Sequence, residues 1–160
     1  MATRPDLDPP LIDRRAVLMG GLAAASLLGT AAPAGAQATD AEKANVALVN
    51  DFVAAFAARD MDKVLPFLAA DCVYRINETA PPVTGHDAIR ARLGPFVEMS
   101  DTVDWQVLDT YAKGPMVINH RIDRFVSTTR PLTWEGVGVF FVKDGTIQEW
   151  FDYTIRSSRA

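Results

Sequence analysis

Two aspartates and one arginine carry the spacing that could do chemistry in this sequence. From Met116 to Phe125 the period-two rule of a strand puts Val117, Asn119, Arg121, Asp123 and Phe125 on one face, and Met116, Ile118, His120, Ile122 and Arg124 on the other. Further along, Gln148, Trp150, Asp152 and Thr154 share one face of another strand, which sets Asp152 among aromatic side chains. A lone carboxylate in such company is costly to bury. Arg121 is the partner suited to it, because a planar guanidinium bonds two carboxylates at once and stays charged. Two ionised carboxylates around one guanidinium leave one excess negative charge, and a low-dielectric site favours the neutral state with one added proton. Such a cluster keeps an acid beside a base, the pairing needed to activate a water and protonate a leaving oxygen together. The alternative from spacing alone is an Arg–Asp pair that merely braces a sheet, with Asp152 at its edge.

The elements around these residues follow from pattern. Thr39-Asp40-Ala41-Glu42 has the spacing of a capping box, and Val46, Val49, Phe52, Val53 and Phe56 form one helical apolar face that Arg59-Asp60 closes. A second short helix is expected from Asp60, its cap, to about Leu68, ended by Asp71. Cys72 to Ile76 reads as a strand, and Asn77 to Thr84, with Pro81-Pro82, as a loop. Ile89, Leu93 and Phe96 predict a third helix from Gly85 to about Val97, which Gly94-Pro95 should kink or shorten. Strands follow over Val103–Tyr111, Met116–Ser127, Leu132–Val142 and Thr146–Ile155, the last two joined by a Lys143-Asp144-Gly145 hairpin. Helices first and hairpin-linked strands after mean an α+β domain, about three helices on one face of a curved, mostly antiparallel sheet. Gly136 and Gly138 share a face, where missing side chains permit curvature or the close approach of a ligand.

Tyr74, Arg121-Ile122-Asp123, Gly138-Val139-Phe140, the Asp-Gly hairpin and Trp150-Phe151-Asp152-Tyr153 together resemble the limonene-1,2-epoxide hydrolase family, within the NTF2-like and SnoaL-like cone-shaped domains. The resemblance spans nearly all of residues 39–160. It implies Asp152 as general base on a water also held by Tyr74 and an asparagine, Asp123 as the acid that protonates the epoxide oxygen, and Arg121 as the bridge between them. It also implies a one-step reaction without cofactor or metal. The family places its asparagine two residues after the tyrosine, where Ile76 stands here; Asn77 comes one later, and a one-residue bulge would return it to that side. Among the aromatic residues Trp150 is expected in the substrate pocket, with Phe140, Trp134 and Met116 left to the core. His120, on the face opposite Arg121, is set aside as a substrate contact, and His86, opening a helix, as a surface residue. Cys72 reads as a buried strand residue, and Arg75 and Arg124 as exposed or in surface pairs.

The chain has 160 residues and a net charge of −4. No stripe of Lys and Arg marks it for nucleic acid. One cysteine excludes an intramolecular disulfide and a thiolate metal site. Arg14-Arg15, an uncharged stretch from Ala16 to Ala36 and the small-x-small Ala36-Gln37-Ala38 read as a twin-arginine export signal over 1–38. Its apolar part is shorter than the ~20 residues of a spanning helix. The expectation is a leader cleaved to release residues 39–160 as one exported domain, periplasmic or secreted, without stable membrane insertion and homodimeric. Its partners would be a small apolar epoxide and a catalytic water. Two rivals stand beside it: an isomerase or cyclase acting on a carbonyl compound through an Asp base, and a non-catalytic ligand-binding domain. The first separates on whether Arg121 touches both aspartates.

Overall fold

A computed structural model describes residues 37–159. The leader expected over 1–38 lies outside the described residues, except for Gln37 and Ala38. Helix α1 (Asp40–Ala55) starts as its capping box requires: Thr39 Oγ1 accepts from the Glu42 amide at 3.2 Å, and Glu42 Oε2 accepts from the Thr39 amide at 2.8 Å. Glu42 is buried and its Oε1 also accepts from the Gly114 amide at 2.8 Å. The Gly114 and Thr39 amides hold its carboxyl down at about 2. One side chain thus caps a helix and ties it to a distant strand turn.

Val49, Phe52 and Val53 bury the face that their spacing predicts, and a 3₁₀ turn at Phe56–Ala58 ends with Arg59 in the left-handed region (φ 54°). The expected second helix is shorter. After the Asp60 cap, α2 (Met61–Val64) makes one turn, and Pro66 then turns the chain into a 3₁₀ segment, Leu65–Phe67. Strand β1 (Leu68–Arg75) begins at once, so Asp71 lies within a strand rather than at a helix end. The reason is pairing: Leu68 meets Ile147, and an irregularity between Leu68 and Val73 leaves Asp71 outside the register and exposed.

After the loop come β2 (Val83–Thr84) and α3 (His86–Val97). Pro95 does not shorten α3. The helix runs past it to Val97, and Glu98 closes the helix by donating to the Gly94 carbonyl at 2.8 Å. His86 is half-buried rather than at the surface, its Nε2 3.1 Å from the Leu68 carbonyl. The four long strands are β3 (Thr102–Lys113), β4 (Met116–Val126), β5 (Leu132–Lys143) and β6 (Thr146–Arg159). The β5–β6 hairpin turns through Asp144 (φ 52°) and Gly145 (φ 76°), as Asp-Gly allows.

The six strands form one sheet in the order β2-β1-β6-β5-β4-β3, antiparallel except for β1 beside β6. Helices and a curved sheet make the α+β architecture expected. The core lies between them, built on Phe52, Phe56, Ile89, Leu93, Phe140 and Trp150. On the outer sheet face His120 meets Glu135 at 3.1 Å and Arg124 meets Asp104 at 3.0 Å, away from the core. Arg75 is not free in solvent as expected; it is half-buried and its guanidinium lies over the rings of Phe151 (5.2 Å) and Tyr153 (5.0 Å).

Candidate active site

The inward face of β4 is buried throughout: Val117, Asn119, Arg121, Asp123 and Phe125. The period-two reading of that strand therefore holds, and it places three polar side chains on the buried side of the sheet. Arg121 is fully buried; its Nε donates to Asp123 Oδ1 at 3.0 Å and Oδ2 at 3.1 Å, and its Nη2 donates to Asp152 Oδ1 at 2.8 Å. The remaining nitrogen, Nη1, donates to Asn119 Oδ1 at 3.0 Å. One guanidinium thus meets both aspartates.

Gly138 makes the arrangement possible. It pairs with Asn119 on one side and Asp152 on the other, and a Cβ there would stand 2.3 Å from Arg121 Nη1. The close approach expected at this glycine is to the arginine rather than to a ligand. All three tryptophans of the chain surround the guanidinium, with its carbon 5.0 Å from the Trp105 ring, 4.9 Å from Trp134 and 5.8 Å from Trp150.

A cavity of about 200 Å³ opens above the cluster. Asp123 and Asp152 line it, whereas Arg121 lies beneath them and does not. The rest of its wall is mostly apolar, including Ile76, Leu93, Phe96, Phe125 and Leu132. Tyr74 lines it too, fully buried, with its hydroxyl 3.5 Å from Asp152 Oδ2.

Asn77 reaches the cavity wall although Ile76 precedes it there. No bulge of β1 brings it back, since β1 ends at Arg75; the loop does. Its Oδ1 is committed to that loop, accepting from the Thr79 amide at 3.0 Å, the Thr79 hydroxyl at 2.9 Å and the Ala80 amide at 2.9 Å. Only its amide Nδ2 is left for anything in the cavity.

Trp150 corrects the expectation that it lines the pocket. Register places it between Tyr74 and Phe140 under α1, so it is fully buried against Tyr74 (4.0 Å between ring centres) and Phe52 (5.0 Å). Its contribution is a hydrogen bond, Nε1 to Asp152 Oδ1 at 2.8 Å. The tryptophans of the cavity wall are Trp105 and Trp134, the register partners of Asp123 on β3 and β5. Trp134, assigned to the core from sequence, owes its place to this pairing, and its indole donates to Thr154 Oγ1 at 2.9 Å. Sequence reasoning also passed over Asn119, although its spacing from Arg121 and Asp123 on one face was the available signal.

The two carboxylates are not equivalent. Burial pushes both up, and the other charges then act on each. Asp152 accepts from Arg121, Trp150 and Tyr74, three donors that oppose the effect of burial. Among protein groups Asp123 has only the Arg121 Nε, and burial raises it to about 7, with Asp152 adding to the rise. For Arg121, burial works against the charge, and the two aspartates outweigh it. Tyr74 stays protonated, raised well above the usual phenol range by burial and then by Asp152. Cys72, fully buried, is pushed up to about 12 by burial.

The fold is similar to several solved structures. An LEH-like epoxide hydrolase from M. tuberculosis is 25% identical, with a TM-score of 0.59 over 71% of this chain and 84% of that one. A proposed SnoaL-like polyketide cyclase from Jannaschia sp. is 15% identical (TM-score 0.65, over 76% and 92%). A proposed ketosteroid isomerase from Kribbella flavida is 20% identical (TM-score 0.57, over 72% and 80%). No curated protein matches the sequence. The model of the SnoaL-like domain matches residues 49–150, from the middle of α1 to the tryptophan beneath Asp152, and the chain belongs to that family.

Proposed function

We propose that this protein is an epoxide hydrolase that adds water to a small, mostly apolar epoxide and releases a vicinal diol. The observation that carries this reading is that one buried guanidinium donates to two carboxylates at the floor of an apolar cavity. The likeness to the LEH-like enzyme supports it.

Asp152 is the base. Three donors favour its ionised form, and its Oδ2, whose one protein contact is the 3.5 Å approach of Tyr74, is the oxygen free to take a proton from water. Asp123 is the acid, since it holds a proton up to about pH 7. As the water oxygen bonds to one epoxide carbon, its proton passes to Asp152 and the carbon–oxygen bond of the ring breaks. The departing oxygen takes the proton of Asp123, so the cluster ends with the same proton count, moved from one carboxyl to the other. Arg121 faces both carboxylates before and after that exchange. Tyr74 and the Asn77 amide are the donors placed to orient the water.

An isomerase of the kind that donates from an uncharged carboxylic acid to an enolate needs an apolar site for that acid. Arg121 at hydrogen-bond distance from both aspartates weighs against it. The deciding experiment incubates purified protein with cyclic and linear epoxides and follows diol by gas chromatography, beside Asp152→Asn. Diol from the wild type, reduced at least a thousandfold in a folded Asp152→Asn, is the expected result. No diol from any epoxide would reject the proposal in favour of the carbonyl isomerase or a binding domain.

A further inference from the structure

We infer that Asn119 is a positioning residue: its side-chain oxygen fixes Arg121 in the one orientation that reaches both aspartates, and its neutrality sets how many protons the cluster holds. The kinetic consequence rests on the epoxide-hydrolase reading; the electrostatic one does not.

Nε and Nη2 of Arg121 are taken by the two aspartates, which leaves Nη1 as the nitrogen that no carboxylate holds. Asn119 Oδ1 accepts from it at 3.0 Å. On β5, Gly138 lets the same nitrogen come so close that a Cβ there would stand 2.3 Å from it. Nη1 is therefore set between an absent side chain on one strand and an amide two residues back on its own strand. Without that acceptor Nη1 is left as a buried donor with no partner, the guanidinium shifts to find one, and its grip on Asp123 or Asp152 lengthens.

Asn119 is fully buried and does not line the cavity, so it cannot touch a substrate. Its Nδ2 has no protein partner. An apolar residue of the same size would remove that costly donor and keep the packing. What the amide gives in return is its bond to Arg121.

Its lack of charge matters equally. The titratable groups facing Arg121 are Asp123 on its own strand, Asp152 on β6 and Tyr74 on β1, of which only the two aspartates carry charge near neutral pH. β3 and β5 bring Trp105, Trp134 and Gly138, none of which ionises. Aspartate at position 119 would be a third carboxylate on one guanidinium, and the cluster would take up its proton at higher pH.

The test needs no substrate for its first part. The three tryptophans surround Arg121, so their fluorescence against pH reports the titration of the cluster. Asn119→Asp is expected to move the midpoint up by at least one pH unit, and an unmoved midpoint overturns the assignment whether or not any epoxide is a substrate. In the second part, Asn119→Leu should lower kcat for epoxide hydrolysis at least tenfold with KM within twofold, and Asn119→Ser, which keeps an acceptor, should recover part of it. Wild-type kcat in a folded Asn119→Leu overturns the positioning role. Should the leucine variant not fold, the isosteric aspartate variant decides. Should the wild type hydrolyse no epoxide, the functional reading fails while the titration still rules on Asn119.

Discussion

Asp123 takes its character from what it lacks. With a single guanidinium nitrogen as its protein donor, it keeps its proton to about 7, whereas an unfolded aspartate loses it near ~4. The folded chain therefore binds this proton more tightly than the unfolded one. The stability it contributes is complete below about 4 and is lost as pH rises through about 7. Asp123→Asn removes that dependence, so its melting temperature at about pH 8 should exceed that of the wild type by several degrees, by calorimetry, while turnover is lost. In the wild type, kcat/KM for epoxide should decline above about pH 7 as the acid ionises. Removing Arg121 has the opposite effect on stability. Arg121→Leu strands two carboxylates under a tryptophan cage and should cost about 3–5 kcal/mol in denaturant unfolding. The residue scale was also the most legible in the sequence. Period two put Arg121 and Asp123 on one face of β4 and Asp152 with Trp150 on one face of β6, because side-chain direction on a strand depends on parity alone, but it left open whether the two faces met. Asn77 was not settled by parity: its orientation comes from a loop whose amides capture its carbonyl oxygen.

At the scale of elements, position depends on register, which parity does not supply. Trp105 and Trp134 flank Asp123 only because β3 and β5 pair with β4 at those residues, past an irregularity between Val107 and Asp109 in one case. Strand positions from sequence cannot say which residues stand opposite one another, and so Trp150 was placed in the cavity and Trp134 in the core. Helix ends were legible where a cap defined them, at Thr39 and Asp60, and less so where pairing overrode local preference, as at Leu68. Pro95 was over-read as a helix stop, since α3 continues past it to Val97. Gly138 is the element-scale residue on which the site depends. Gly138→Ala puts a Cβ 2.3 Å from Arg121 Nη1 and 2.7 Å from the Phe140 ring, both held on other sides. It should destabilise the fold by about 1–3 kcal/mol and cut turnover by more than that loss of folded protein explains, measured as specific activity of the folded fraction.

Across the whole molecule, α3, β1 and the four long strands each supply part of one cavity wall, and its volume of about 200 Å³ sets substrate size. That is below the ~300 Å³ at which drug-sized pockets begin. Single-ring and short linear epoxides should be turned over, and fused four-ring epoxides should not. Phe96→Ala, at the helical wall, should widen the range in a competition assay. The α+β class was readable from the order of helices and hairpins, but the neighbour of β1 was not, since a parallel partner leaves no turn between the two strands to mark it. Tyr74 on β1 pairs with Trp150 on β6, and β2, α3, β3, β4 and β5 all lie between them in sequence. On that side β1 has no neighbour but β6. Tyr74 and Asp152 therefore face one another only once β6 has docked beside β1, and a chain cut short of β6 would lack both Asp152 and the strand that Tyr74 packs against.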